Sequence, residues 1–317
     1  MVKQELRKNT EYKKQKQKRK KEEQGLHVIQ SRGEKVFNVV NYIFLSLLVL
    51  ITFYPFYYVL IASLSESVEV VSGNVLFTIK GFTMDSYKKV WEIEGFLRSY
   101  GNSIYMTVVG TAISLLITIC GSYALSKKRL RFRSFFSFFI AFTMWFNAGM
   151  IPIYLNLRDM NMLNSIHGAI VAFCISTFNV IMMRTYFQTV PDSLEEAAKI
   201  DGANDIRTLF QIYLPLAKPS IATIGLYYWL SYWNSYFWPM IMLKDRAKVP
   251  LQVLLKKLIV EMQLSSELSM TMDTMQNVSQ QTVIYATMIV SIIPVILIYP
   301  YLQKYLIKGL MVGSVKG

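Results

Sequence analysis

Six long stretches without a charged residue most constrain how this chain can fold. They are the segments 36–65, 99–126, 134–157, 160–183, 219–243 and 274–303, and none contains Asp, Glu, Lys or Arg. A helix needs about 20 apolar residues to cross the hydrocarbon core of a bilayer, and each stretch exceeds that length. The sequence therefore predicts an all-α membrane protein with six transmembrane helices.

The distribution of Lys and Arg predicts which side of the membrane each loop faces. With the N-terminus placed inside, the inner segments hold 24 of the 34 Lys and Arg residues and the outer segments hold 10. Because cytoplasmic segments carry the excess of these residues, we expect both termini and the loop 187–219 to be cytoplasmic. The formal net charge of +14 lies mostly beside the predicted helices, where anionic lipid attracts basic residues. Membrane lipid, and no nucleic acid, is the expected partner of these charges.

Three regions are expected along the chain. Residues 1–35 would form a basic cytoplasmic tail with almost nothing to bury. Residues 36–309 would form the six-helix transmembrane domain, and residues 310–317 a cytoplasmic C-terminal tail.

The polar loop 187–219 separates the fourth and fifth predicted helices and is expected to form a compact pair of short helices. Pro191 and the acidic residues after it favour a helix start, and Gly202 breaks or bends that helix. Pro215 and Pro219 are expected to end the second piece. Its apolar residues at helical spacing are Ile206, Leu209, Phe210 and Tyr213. From the residues alone, an ordinary cytosolic connection is as good an interpretation as a docking surface.

This loop resembles the signature of the permease subunits of ATP-binding-cassette (ABC) importers. In that signature Glu-Ala-Ala is followed by Gly four residues after the second Ala and, after nine more residues, by Ile-x-Leu-Pro. The matching residues here are Glu196, Ala197, Ala198, Gly202, Ile212, Leu214 and Pro215. The run Asp201-Gly202-Ala203 further resembles the carbohydrate branch of that family.

The resemblance extends from the first predicted helix to the C-terminus. It is strongest for the maltose-type, six-span permeases, especially the branch that serves oligosaccharide uptake with a lipoprotein-type binding protein. Four segments resemble recurring sequence motifs of that branch: 147–152, 233–236, 250–252 and 308–317. Two departures are a longer, more basic N-terminal tail and Trp145-Phe146 in place of a Gly that is common before the Asn147 position.

The resemblance implies an ABC type I importer permease fold and a permease subunit of an ATP-driven, binding-protein-dependent oligosaccharide importer in the cytoplasmic membrane of a prokaryote. The loop 187–219 would act as a coupling helix against a separate ATPase subunit. The residues implied in coupling are Glu195, Glu196, Ala197, Ala198, Asp201, Gly202, Ala203 and Asn204.

Partners and cofactors follow from the same resemblance. The implied partners are a second homologous permease subunit, two copies of the ATPase and an extracellular solute-binding lipoprotein. Whether the second permease is a different chain or a second copy is left open by the sequence. ATP and Mg would be bound by the ATPase subunits, and this chain would carry no cofactor.

Aromatic and amide side chains within the predicted helices are candidates for a solute pathway. Trp229 and Trp233 are four residues apart and share one helical face, with Asn234 beside it. Flat rings stack on the C–H faces of sugars, and amides bind hydroxyl groups. The candidates are Asn147, Asn179, Tyr228, Trp229, Trp233 and Asn234. An interfacial belt of Tyr and Trp explains the same pattern.

No catalytic or metal site is predicted, so the chain is not expected to be an enzyme. It contains no Gly-Lys pair and hence no phosphate-binding loop. The six stretches contain no acidic or basic side chain apart from His167, whereas ion-coupled carriers usually keep such groups within the membrane. The alternatives are an ABC importer permease for a non-sugar solute and, in another class, an ion-coupled secondary carrier.

Overall fold

The computed structural model describes residues 32–146, 148–268 and 274–314. Within these ranges the chain forms helices, and the single β-type pairing is an isolated antiparallel bridge between Ser65 and Phe82. The all-α prediction is therefore confirmed. The chain divides into two units, residues 1–57 and 58–317. The first unit contributes most of one apolar helix, and all the sites described below belong to the second.

The helices are numbered in chain order. They are α1 (Arg32–Ser63), α2 (Ser67–Val71), α3 (Asp85–Glu92), α4 (Phe96–Ser126), α5 (Arg133–Phe142), α6 (Met150–Asp159), α7 (Ile166–Ala172), α8 (Thr177–Phe187), α9 (Asp192–Ile200), α10 (Asp205–Thr208), α11 (Leu214–Leu216), α12 (Lys218–Trp233), α13 (Phe237–Met242), α14 (Leu251–Leu268) and α15 (Thr274–Ser314). A π-helical turn, Leu209–Tyr213, joins α10 to α11, and a 3-10 turn, Arg246–Lys248, precedes α14.

Three helical segments of the described chain are long and apolar enough to cross a membrane. They are α1, α4 and the segment Gln280–Pro300 of α15. The pair α7 and α8 also qualifies if counted as one span, although the two helices meet at a 54° bend. By length and composition, the structure thus contains three clear spans, or four with the bent pair.

Three of the six uncharged stretches do not form a single helix. The third stretch is divided into α5 and α6, the fourth into α7 and α8, and the fifth into α12 and α13. Local chemistry accounts for two of the three breaks. Gly149 adopts φ +85° before α6, and the Ser176 hydroxyl caps α8 by accepting from the Asn179 N–H.

The two prolines of the polar loop act differently from the prediction. Pro215 lies in α11, which directly continues the π-helical turn, so it does not end the helical piece. Pro219 lies in the first turn of the next helix, α12. A proline in the first turn of a helix loses no hydrogen bond, because the N–H it lacks would have no partner within the helix.

Helix α4 lies at the centre of the second unit and packs chiefly against α12 and α8. Small polar side chains on α4 make the contacts. Ser114 and Thr118 exchange hydrogen bonds with the hydroxyls of Tyr232 (3.1 Å) and Tyr228 (2.7 Å) on α12. Ser122 donates to the Val180 carbonyl of α8 at 2.9 Å. These short residues let the helices approach closely while satisfying their polar groups.

Candidate functional site

The polar loop between α8 and α12 folds into a compact helical unit, called the knob here and defined as residues 192–216. Its first helix, α9, follows Pro191 and ends at Ile200. Gly202 has a left-handed backbone (φ +76°), a conformation that favours glycine because it has no Cβ. Asn204 then caps α10 by accepting a hydrogen bond from the Arg207 N–H at 2.8 Å. The chain therefore turns sharply between two short helices.

The eight residues predicted for coupling divide between the outer and inner faces of the knob. Glu195 and Ala198 are buried, which follows from helical geometry because residues three apart share a face. The remaining six are exposed or half-buried: Glu196, Ala197, Asp201, Gly202, Ala203 and Asn204. The structure thus places Glu195 and Ala198 on the buried inner face of the knob.

The outer face of the knob also carries large exposed apolar side chains. They are Leu194, Ile200, Ile206 and Phe210, and Ile200 is 86% exposed. The sequence placed Ile206 and Phe210 at the same spacing as Leu209 and Tyr213, yet the structure buries only the latter two. The wider π-helical turn at Leu209–Tyr213 changes the register of the side chains. Exposed apolar residues beside acidic ones are typical of a protein-binding surface.

Glu195 is the centre of a buried ionic cluster at the inner face of the knob. Its Oε2 atom lies 2.6 Å from Lys127 Nζ and accepts a hydrogen bond from the Tyr213 hydroxyl at 3.0 Å. Its Oε1 atom lies 2.8 Å from Lys199 Nζ, one helical turn away on α9. Lys127 is the residue that directly follows α4. The cluster therefore fastens the knob to the end of the central helix.

Two aromatic rings enclose the Lys127 ammonium group. Its Nζ lies 4.0 Å from the ring centroid of Tyr123 and 3.7 Å from that of Tyr213. The two rings meet edge to face at 5.1 Å. Cation–π attraction gains strength where water is excluded, as it is here because Lys127 is only 7% exposed.

The charged neighbours of Glu195 lower its pKa. Burial alone would raise it, but hydrogen bonds from Lys127 and Lys199 and the charge of Lys127 outweigh burial and lower the pKa to about 2. Burial lowers the pKa of Lys127, while its hydrogen bond to Glu195 acts in the opposite direction. Hydrogen bonding to a carboxylate and burial together raise the pKa of Tyr213. Glu195 is therefore ionised at neutral pH.

Two exposed ion pairs join the same two parts of the chain, and Arg129 Nη2 also lies 3.8 Å from Glu195 Oε1. Residues 127–133, named the basic turn, contribute Lys128, which lies 2.7 Å from Asp192, and Arg129, which pairs with Asp205. The basic turn and the knob border an open cleft of about 540 Å³. Sequence reasoning assigned the basic turn to lipid head groups and missed its role as the partner of the knob. Spacing carried no signal for this pairing, because the pairs join residues at least 64 positions apart.

A second candidate site is a cavity of about 260 Å³ where the break between α7 and α8 faces α12. Its lining combines aromatic rings with hydroxyl and amide groups: Phe173, Ser176, Phe178, Asn179, Tyr227, Tyr228 and Ser231. Two of the predicted pathway residues, Asn179 and Tyr228, meet here. Sequence reasoning missed Ser176 and Ser231, which become visible only once the break in the fourth span is known.

Asn179 and Tyr228 differ in what their polar groups contact. The Tyr228 hydroxyl is fully engaged, since it accepts from the Ser176 N–H at 3.1 Å and bonds to Thr118 Oγ1 at 2.7 Å. The Asn179 side-chain amide makes no hydrogen bond with any residue that the structure describes, although its residue is 96% buried. The two residues therefore differ: the Asn179 amide lines the cavity without a described hydrogen-bond partner, whereas the Tyr228 hydroxyl holds helices together.

The other predicted pathway residues lie elsewhere. Trp229 and Trp233 stack on each other, with centroids 5.5 Å apart, and line a separate cavity of about 220 Å³. Trp233 is 1% exposed and its indole N–H donates to the Ser291 carbonyl. Asn234 is exposed at the end of α12 and lines neither cavity. Asn147 lies outside the described residues.

Comparison with known proteins gives consistent matches over most of the chain. Residues 118–312 match the family model described as a binding-protein-dependent transport system inner membrane component. Protein LplC of Bacillus subtilis (strain 168) is 38% identical over 289 residues, covering 90% of this chain and 97% of that protein. The polygalacturonan/rhamnogalacturonan transport system permease protein YtcP of the same organism is 39% identical over 286 residues, covering 89% and 99%.

A solved structure agrees with these sequence matches. One chain of a bacterial ABC transporter involved in the import of the acidic polysaccharide alginate superposes with a TM-score of 0.80 and 42% sequence identity. The superposition covers 88% of this chain and 99% of that chain.

Proposed function

Because this chain belongs to the family of binding-protein-dependent transport system inner membrane components, we propose that it imports an oligosaccharide as the permease subunit of an ATP-driven transporter. The relatives support the solute class. YtcP is named for polygalacturonan and rhamnogalacturonan transport, and the solved transporter is described as an alginate importer. The observation that carries the proposal is the knob, a polar helical unit that offers an exposed apolar and acidic face beside membrane-spanning helices.

The knob is proposed as the docking site of the ATPase subunit. Its outer face carries Glu196 together with exposed apolar side chains such as Ile200 and Phe210. A partner that covers this face would remove apolar surface from water, which is the dominant favourable term in most protein association. The chain itself has no phosphate-binding loop, so ATP and Mg belong to that partner.

The remaining assembly follows the type I importer arrangement. We assign six spans, counting each broken pair α5/α6, α7/α8 and α12/α13 as one span, because every uncharged stretch contains such a pair or one long helix. Backbone that leaves helical geometry at membrane depth is tolerated where protein or a cavity surrounds it. The excess of Lys and Arg on one side supports cytoplasmic termini and a cytoplasmic knob. A second permease, two ATPase copies and an extracellular binding protein complete the assembly.

The cavity lined by Asn179 and Tyr227 is proposed as part of the solute pathway. Its aromatic rings and polar groups match what a hydroxyl-rich ligand requires. None of the described residues that line it carries a charge. This chain would therefore contact the neutral parts of a sugar at that point.

Charge reversal on the knob tests the docking assignment. Glu196→Lys and Gly202→Pro should leave the subunit inserted in the membrane but abolish uptake driven by ATP in proteoliposomes. Lys218→Glu reverses an exposed charge outside the knob and should leave uptake intact. Full uptake by both knob variants would refute the docking assignment.

The solute class needs its own measurement. Neutral and acidic oligosaccharides, an amino acid and inorganic phosphate would each be added with the binding protein to the reconstituted complex. Stimulation of ATP hydrolysis by an oligosaccharide supports the proposal. Stimulation by the amino acid or phosphate alone would replace it with a permease for a non-sugar solute.

A further inference from the structure

Two neighbouring acidic residues on α9 differ in burial, which separates two roles within the knob. Glu196 is exposed, whereas Glu195 is 9% exposed and contacts the residue that ends the central helix. We propose that Glu195 is a positioning residue that transmits displacement of the knob to α4 through Lys127, an inference that rests on the function proposed above. Glu195 would not contact the ATPase at all.

The Glu195–Lys127 pair is the most deeply buried of the ion pairs between the knob and the basic turn. The Lys128–Asp192 pair has side chains that are 81% and 67% exposed, and such surface pairs contribute little because water and salt screen them. The side chains of Lys127 and Glu195 are 8% and 12% exposed. Three donors hold the Glu195 carboxylate in one place, from Lys127, Lys199 and Tyr213. A buried group held this way moves with its partners.

Helix α4 links the partners of Glu195 to the proposed solute cavity. Tyr123, whose ring covers Lys127, stands on α4 one helical turn before it and packs with Tyr213 and Phe187. On the same helix, Thr118 bonds to the Tyr228 hydroxyl, which also holds the Ser176 N–H at the break between α7 and α8. Movement of α4 along its axis would therefore displace groups that line the cavity.

A purely structural role for the pair predicts a different outcome from a transmitting role. Loss of Glu195 leaves the buried Lys127 without its carboxylate partner, whereas loss of Lys127 leaves Glu195 paired with Lys199. Removing one member of a buried ion pair is strongly destabilising when a charge is left unpaired, whereas removing both is often neutral. If the pair only stabilised the fold, a double variant without both charges would regain what the single variants lose. If the pair transmits motion, the double variant would fold well and remain defective.

The experiment uses the complete transporter in proteoliposomes and measures solute imported per ATP hydrolysed. The variants are Glu195→Gln, Lys127→Met and the double variant Lys127→Met/Glu195→Gln. In all three we expect the ATPase to remain bound, as measured by co-purification, and the import ratio to fall at least about fivefold, the lower range of measured coupling between sites. Lys128→Gln, which breaks the exposed pair between the same two segments, should keep the wild-type ratio.

Any of three other results would overturn the inference. A wild-type ratio in Glu195→Gln and Lys127→Met excludes transmission through the pair, and recovery of the ratio in the double variant assigns the pair to stability. Loss of ATPase binding in Glu195→Gln with stable protein would place Glu195 at the docking surface instead. These results leave the proposed function intact, provided that the wild-type complex couples import to ATP hydrolysis. If the wild type does not, the proposed function fails together with the inference.

Discussion

Tyr232 on α12 lies with its ring directly against the backbone of Gly110 on α4. A Cβ atom placed on Gly110 would come within 2.6 Å of the ring, a separation that real Cβ atoms do not show. The ring is fixed at its far end as well, because the Tyr232 hydroxyl donates to the Ile170 carbonyl at 2.9 Å and bonds to Ser114. The absence of a Cβ atom at Gly110 therefore allows α4 and α12 to pack this closely.

We predict that Gly110→Ala destabilises the subunit by about 1 to 3 kcal/mol, the usual cost of overpacking a well-packed core. The measurement is thermal or denaturant unfolding of the purified protein in detergent. Gly121→Ala is the matched control, because Gly121 lies on the same helix and a Cβ there meets no atom within 4 Å. The control should be neutral or slightly stabilising, since alanine favours helix over glycine by about 1 kcal/mol. Equal stability of the two variants would contradict the packing account.

The ionisation of Glu195 predicts a specific loss of stability in acid. Its pKa in the folded protein is about 2, below the usual value of 4.5, so ionised Glu195 stabilises the fold above pH 4.5. That contribution should disappear as the pH falls from about 4.5 towards 2. The check is the melting temperature of wild type minus that of Glu195→Gln, followed across this window.

Two controls make the acid experiment specific. The difference between wild type and Glu195→Gln should shrink on acidification, because protonated Glu195 resembles glutamine. Asp192→Asn removes an exposed carboxylate that pairs with Lys128, and its difference from wild type should stay small at every pH. A constant gap between wild type and Glu195→Gln down to pH 2 would show that the carboxylate is not held as described.

Tyr228 and Tyr227 line the same cavity but should respond differently to loss of the hydroxyl. Tyr228→Phe leaves the half-buried Ser176 N–H and the buried Thr118 hydroxyl without their partner and should cost about 1 to 3 kcal/mol. Tyr227→Phe should change stability by less than about 0.5 kcal/mol, because Tyr227 is 41% exposed. Unfolding of both variants in detergent gives the comparison. Unchanged stability in Tyr228→Phe would show that its hydroxyl is free to serve the solute after all.

How much the sequence could predict depends on whether the signal is local. The apolar helices α1 and α4 follow from uncharged length, and the turn at Gly202 follows from residues within a few positions of it. The breaks at residues 143–149, 173–176 and 234–236 could not be seen this way, because uncharged composition does not distinguish a helix from a broken pair.

The candidate sites show the same limit. The exposed face of the knob was predicted from its sequence signature. The sequence did not predict that Glu195 is buried while Glu196 is exposed. This difference depends on Lys127, which is 68 positions away from Glu195 and is brought close only by the packing of α4 beside the knob. Likewise, Trp233 was predicted as a pathway residue from its ring and its spacing from Trp229, whereas its burial depends on helices that lie far along the chain.

Asn179 offers the most direct test of the proposed solute cavity. Its amide has no hydrogen-bond partner among the described residues and lines the cavity beside Ser231 and Tyr227. Asn179→Leu preserves the size of the side chain while removing its polar atoms, so the fold should persist. If the amide binds a sugar hydroxyl, the solute concentration at half-maximal uptake should rise about 2- to 10-fold, the value of one ordinary hydrogen bond. Uptake by reconstituted transporter measures this directly.

Asn234→Leu is the matched control, because Asn234 is exposed at the end of α12 outside the cavity, and its uptake curve should match wild type. A wild-type curve for Asn179→Leu, or an equal shift in both variants, would remove this cavity from the solute pathway.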